Sequence, residues 1–162
     1  MLTLLEVFDV RNNQLTELPE ITGPASSLTT FKASKNQLQS FPSFKEQAVS
    51  LSTLHLGDNS IIEINIRDLM FVANGLLTIL ALDINNLQTV PVLCHFNDTF
   101  QLSLESNPIV CDTRIAWMLT EDMDVLGTCD SPSHLSGRDI KSLSYTELGI
   151  VEGKHYSTWP HW

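Results

Sequence analysis

The chain has 162 residues, 43% of them hydrophobic and 17% charged, a balance that fits one folded unit rather than a disordered tail. Nineteen acidic against 9 basic side chains give a formal net charge of -10 at pH 7, which argues against nucleic acid or an anionic membrane surface as partner. No apolar run approaches the roughly 20 residues of a membrane-spanning helix, so no membrane insertion is expected within this chain. The opening Met1-Leu2-Thr3-Leu4-Leu5-Glu6 lacks the basic region and cleavage site of a signal peptide. Because no capping segment precedes Leu5, we expect a fragment that lacks an upstream cap, further repeats and a secretion signal; the other reading is that Leu2 and Leu4 cover the apolar end themselves.

From Leu5 onward the apolar residues recur in a fixed register. Leu5, Phe8, Val10, Asn13 and Leu15 make a first copy, and Leu28, Phe31, Ala33, Asn36 and Leu38 a second. Leu51, Leu54, Leu56, Asn59 and Ile61 make a third, and Leu77, Leu80, Leu82, Asn85 and Leu87 a fourth. A weaker fifth has Thr99, Leu102, Leu104, Asn107 and Ile109. Successive starts are 23, 23, 26 and 22 residues apart, so length changes fall on the return side of each coil. The fourth and sixth slots alternate with polar neighbours, which is the period of a half-buried strand. The Asn stands where the chain turns inward, where its amide can bond backbone groups that a tight coil leaves unpaired. Pro19, Pro42 and Pro91 each end that turn and begin an extended return. In the third copy Ile66 to Val72 fits a short helical turn closed by Asn74-Gly75.

After Asn107 the period changes. Asp112 is placed to N-cap a helix whose apolar residues Ile115, Met118 and Leu119 would lie across the last coil, with Trp117 at its margin. Ser144 to Glu147 has capping-box spacing before Leu148. The stretch 149–162 has no periodicity and is expected to be loosely ordered. The predicted division is therefore repeats over 1–110, a cap over 107–148 and this tail.

The copies follow LxxLxLxxNxL, the signature of the leucine-rich repeat. With Asn107-Pro108-Ile109-Val110-Cys111-Asp112 and Cys129-Asp130-Ser131-Pro132-Ser133-His134-Leu135-Ser136-Gly137, residues 1 to about 148 resemble the last repeats and C-terminal flanking cap of an extracellular leucine-rich repeat protein. That resemblance implies an α/β solenoid bent into a horseshoe arc. It would have five short parallel strands on the concave side, an irregular convex side and a helical C-terminal cap. It also implies a disulfide between Cys111 and Cys129. The second family disulfide is missing at both ends, since Thr113 stands at one cysteine position and no Cys follows Cys129. Trp117-Met118 stands where the family has Trp-Leu.

On this register the side chains pointing away from the leucine core include His55, Asp58, Ile79, Asp83, Ile84, Phe100 and Glu105. Ile79, Ile84 and Phe100 have no structural need to face solvent, and read either as an apolar anchor for a partner or as ordinary scattered apolar residues. Asp58, Asp83 and Glu105 read either as an acidic edge for a basic partner or as a plain solvated face. Asn97-Asp98-Thr99 is the N-glycosylation sequon. Cys94 reads as a small buried residue or as the source of an intermolecular disulfide.

No convincing nucleophile, zinc spacing or phosphate loop stands out; Cys94 and His95 are adjacent, but neighbours in a strand or loop diverge. No enzyme activity, metal or cofactor is expected. The expectation is a non-catalytic protein-binding module, secreted or part of a receptor ectodomain, with cell-surface recognition, matrix association or innate immunity among the roles the resemblance implies. One alternative is an accessory subunit stabilising a secreted enzyme such as a crustacean-type luciferase. Another is an intracellular scaffold.

Overall fold

The computed structural model describes residues 5–18, 27–44, 50–70, 76–93, 99–120 and 123–150. Six three-residue strands form one parallel sheet in sequence order: β1 (Val7–Asp9), β2 (Thr30–Lys32), β3 (Thr53–His55), β4 (Ile79–Ala81), β5 (Gln101–Ser103) and β6 (Asp124–Leu126). Their register aligns Phe8, Phe31, Leu54, Leu80, Leu102 and Val125 in a single inward row. Each strand is followed by an inward turn and a return, so every coil adds one strand beside the last.

A three-residue strand has only one inward side chain, too little to hold a coil alone. The rest of each coil therefore contributes as well: Leu51, Leu56 and Ile61 in the third and Leu77, Leu82 and Leu87 in the fourth are all fully buried. Fully burying such a side chain is worth roughly 1.5–3 kcal/mol. The first two coils fill the same space with aromatics. Phe8 stacks on Phe31 at 5.0 Å, and Phe44 meets Phe31 edge-on at 5.2 Å.

Asn36, Asn59, Asn85 and Asn107 bridge adjacent coils in the same way. The Asn85 amide nitrogen donates to the carbonyls of Leu82 in its own coil and Leu56 in the preceding one, while its oxygen accepts from the Ile61 amide. Asn59 repeats this with Leu56, Ala33 and Leu38, and Asn107 with Leu104, Leu82 and Leu87. The residue just before each ladder Asn is left-handed: Asn12, Lys35, Asp58, Ile84 and Ser106 have φ between 52 and 59°. Non-glycine residues enter this region at a cost of about 1–2 kcal/mol each. The ladder bonds on either side hold the turn there.

The C-terminal segment closes the last coil. Asp112 accepts from the Arg114 amide at 2.8 Å and caps a 3-10 helix over Thr113–Leu119, in which Ile115, Ala116, Trp117 and Met118 are all buried. Lys141 Nζ reaches back to the Thr120 carbonyl at 2.6 Å and ties the end of this helix to a second short one over Ile140–Ser142. Cys111 and Cys129 form a disulfide with Cα atoms 5.6 Å apart. A cross-link over a loop of this size stabilises by about 3 kcal/mol. Gly127, directly after β6, is closely packed: a Cβ there would sit 3.1 Å from Leu104 Cβ, so its neighbours would have to give by a few tenths of an ångström.

Several expectations are corrected here. The expected leucine-rich-repeat horseshoe of the α/β class gives way to a parallel β-solenoid with minimal helix. The sole α-helix among the described residues is α1, five residues over Ile66–Met70. The sheet has six strands rather than five, because Val125 supplies another inward apolar residue and the cap extends the ladder. The cap is built from 3-10 turns and a strand instead of an amphipathic α-helix, since four consecutive buried residues leave no solvent face for one. Trp117 is buried rather than marginal, its indole N–H lacking a hydrogen-bond acceptor among the described residues. The stretch 71–75 that would close the helical turn, Asn97 with its sequon, Cys94 and residues 151–162 lie outside the described residues.

Replacing Asn85 with Leu should destabilise the chain by about 1–3 kcal/mol, because it leaves the Ile61 N–H buried without its acceptor, while the Leu56 and Leu82 carbonyls keep the Asn59 and Asn107 amides. Asn13 is exposed and its side chain bonds only the Val10 and Arg11 carbonyls among the described residues, so Asn13→Leu should cost under about 1 kcal/mol. Urea denaturation of the two variants checks the contrast. A second prediction concerns acid. Glu147 is held down to about 2 from an ordinary 4.5, first by the Ser144 backbone N–H and then by the Arg138 guanidinium. A depressed carboxylate contributes stability that is complete above 4.5 and lost as pH falls towards 2. Glu147→Gln should therefore flatten the decline of the melting midpoint across that window.

Candidate functional site

The outward face of the sheet is where the coils differ. One outward strand row reads Val7, Thr30, Thr53, Ile79, Gln101 and Asp124; the other reads Asp9, Lys32, His55, Ala81, Ser103 and Leu126. Beyond the strands the backbone ladder continues, with Asn12 N donating to the Ser34 carbonyl and Lys35 N to that of Gly57. Asp58 N and Ile84 N continue it by donating to the Asp83 and Glu105 carbonyls, both at 2.8 Å. Side chains just past the strands are thus held in register from coil to coil.

Charge is sorted along this face. Arg11, Asn12, Lys32, Ser34, Lys35 and His55, all from the first three coils, line an open depression of about 240 Å³. Arg11 is fixed by Asp9: Nε contacts both carboxylate oxygens at 3.0 and 3.1 Å, and Nη2 donates to Oδ2 at 2.7 Å. These bonds hold the Asp9 carboxyl down to about 2. On the other side, Asp58, Asp83 and Glu105 stand on successive coils of the ladder. Gly57 makes room for this group, since a Cβ there would lie 2.6 Å from Asp83 Oδ1. His55 stands between the two regions. Its imidazole is pushed below the ordinary value by partial burial, then by Lys32 and Arg11, with Asp83 pulling the other way.

The structure sets His55 and Asp58 on the third coil, Asp83 on the fourth and Glu105 on the fifth, with Asp83 near enough to act on His55, but it does not expose the whole of the expected apolar trio. Phe100 is completely buried, which corrects its assignment to the solvent face. The residue before it, Thr99, occupies a slot that holds leucine in the earlier coils and is exposed, so the phenyl ring fills the core instead. Ile79 is half-buried between Thr53 and Gln101, whereas Ile84 is half-exposed at the left-handed turn. The two flank Ala81 and Asp83 in sequence. The basic cluster of Arg11, Lys32 and Lys35 was not singled out from the sequence. The signal was available, because Arg11 and Lys32 fall in the seventh and fifth slots of neighbouring copies and Lys35 in the eighth.

Lys32→Gln should raise the His55 midpoint towards its ordinary value, and Asp83→Asn should lower it further, because the two charges act on the imidazolium with opposite sign. An NMR titration of the imidazole protons checks both directions. A midpoint that Lys32→Gln leaves in place would show that the two side chains do not share an environment.

Among the described residues no group of three His, Cys, Asp or Glu side chains is placed to hold a metal ion, and no helix is long and apolar enough to cross a membrane. No protein-family model and no curated protein sequence matches the chain. The expected membership of the extracellular leucine-rich repeat family is corrected to a parallel β-solenoid by the sheet and minimal helix described above. Solved structures are similar to it, among them a chain of the octameric complex of Latrophilin 3 (Lec, Olf), Unc5D (Ig, Ig2, TSP1) and FLRT2 (LRR). That chain is 23% identical with a TM-score of 0.63, over 78% of this chain and 40% of its own length. The present chain thus spans about two fifths of that relative, and the likeness is one of fold.

Proposed function

We propose that the chain is a non-catalytic protein-interaction module that binds a protein partner on the outward face of its sheet. The observation that carries this reading is the division of labour within each coil. The inward row is uniformly apolar, while the outward rows differ from strand to strand, from Lys32 and His55 through Ile79 and Ala81 to Gln101 and Ser103. A face of this kind supplies in-register, rigidly held side chains with little of its own chemistry spent on folding. The similar chain comes from a multi-protein complex, which supports a general interaction role without selecting a partner. The Cys111–Cys129 disulfide favours an oxidising compartment, hence an extracellular setting over an intracellular scaffold.

Peptides selected by display against the intact chain test the reading. Binding should fall about tenfold or more in Ile79→Arg, which places a long charged side chain in the middle of the face. It should be unchanged in Ile62→Arg, whose exposed side chain lies on the return. Selected peptides that respond to Ile62→Arg and ignore Ile79→Arg would overturn it.

A further inference from the structure

Arg11, Lys32 and Lys35 are three of only 9 Lys and Arg residues in a chain of net charge -10, yet all line the same depression. Lys32 and Lys35 make no ion pair among the described residues. Arg11 is committed to Asp9 through Nε and Nη2, which orients the guanidinium and leaves Nη1 without a hydrogen bond among the described residues. Once Asp9 is set against Arg11, the depression keeps the charges of both lysines. Asp58 stands on the coil after Lys35 and Asp83 on the one after that, and neither is ion-paired with Lys32 or Lys35 among the described residues.

The same geometry limits what fits. Asp58 and Asp83 follow on the next coils, and Asp83 is near enough to influence His55. An anionic ligand running along the face would meet like charge there, a repulsive element that sets its length. The volume of about 240 Å³ suits the ends of a pair of side chains rather than a folded surface. Asn12 and Ser34 add uncharged donors at the rim.

We propose that this depression docks an acidic segment of the protein partner, with a pair of neighbouring carboxylates seated on Lys32, Lys35 and the free edge of Arg11. The proposal rests on the interaction reading above and names the chemistry that the partner brings to it. His55 adds a donor beside the lysines. Its environment is made by its own partial burial and by Lys32, Arg11 and Asp83.

NMR titration of the intact chain with the peptide acetyl-Ala-Glu-Glu-Ala-amide at about 0.15 M salt tests the proposal. Amide shifts should cluster at Lys32, Ser34, Lys35 and His55. The affinity should fall about tenfold in the double variant Lys32→Gln/Lys35→Gln and rise in Asp58→Asn. The melting midpoint of the double variant, which removes no buried contact, serves as the folding control. The Gln-Gln peptide should leave the shifts unmoved. Affinity unaffected by the double variant would overturn the proposal, as would inorganic phosphate binding as tightly as the Glu-Glu peptide, which would make this a site for free anions. Display-selected peptides that still depend on Ile79 but ignore both lysines would overturn this docking point while leaving the sheet-face reading standing.

Discussion

The fold depends on supplying hydrogen bonds to backbone that turns into an apolar interior. Each coil bends sharply after three strand residues, and the carbonyls at the bend have no strand opposite them. The side-chain amides of the ladder residues meet that demand. One NH₂ group serves two coils at once, and one oxygen serves the returning chain of the coil before. An amide left unpaired in such a place costs about 1–3 kcal/mol, more than the net value of an ordinary hydrogen bond. This is why the same residue type recurs there while the apolar slots tolerate Phe, Leu, Val, Ala and Ile. Ladder residues also become better enclosed along the solenoid, from the exposed Asn13 to the buried Asn85 and Asn107.

What the sequence made legible was set by the range of the interactions concerned. Strand positions, the inward turns and the pairing register follow from side chains a few residues apart, and the alternation of Leu54 and Leu56 with His55 declares itself locally. The class of the fold and the form of the cap were misread because they depend on contacts made at a distance. Val125 and its neighbours carry no strand signal by themselves; they extend as β6 because β5 offers an unsatisfied edge. Ile115 to Met118 show a partial helical stripe, but enclosure on all sides turns them into a tighter helix. Phe100 shows the same limit in one residue. Its slot assigns it to solvent, and the weak Thr99 beside it releases the space that the ring takes. The basic cluster escaped notice for a different reason: its members are 21 and 3 residues apart in sequence, and only the stacking of coils makes them neighbours.

Charge and packing are kept apart in this architecture. Apart from Phe100, the residues weighed as candidate contacts stand on side chains that the core does not need. His55 is the nearest to an exception, being half-buried among charges of both signs, and its protonation is where packing and surface electrostatics meet.

The left-handed residue ahead of each ladder amide has an evolutionary consequence. Five unlike residues, Asn12, Lys35, Asp58, Ile84 and Ser106, share one backbone conformation that glycine would adopt most easily. Since neighbouring bonds impose the conformation, substitution at that position exchanges surface character without asking the scaffold to change shape. Drift there can rewrite binding preference one coil at a time, so lineages built on such a frame could diverge in specificity faster than in form.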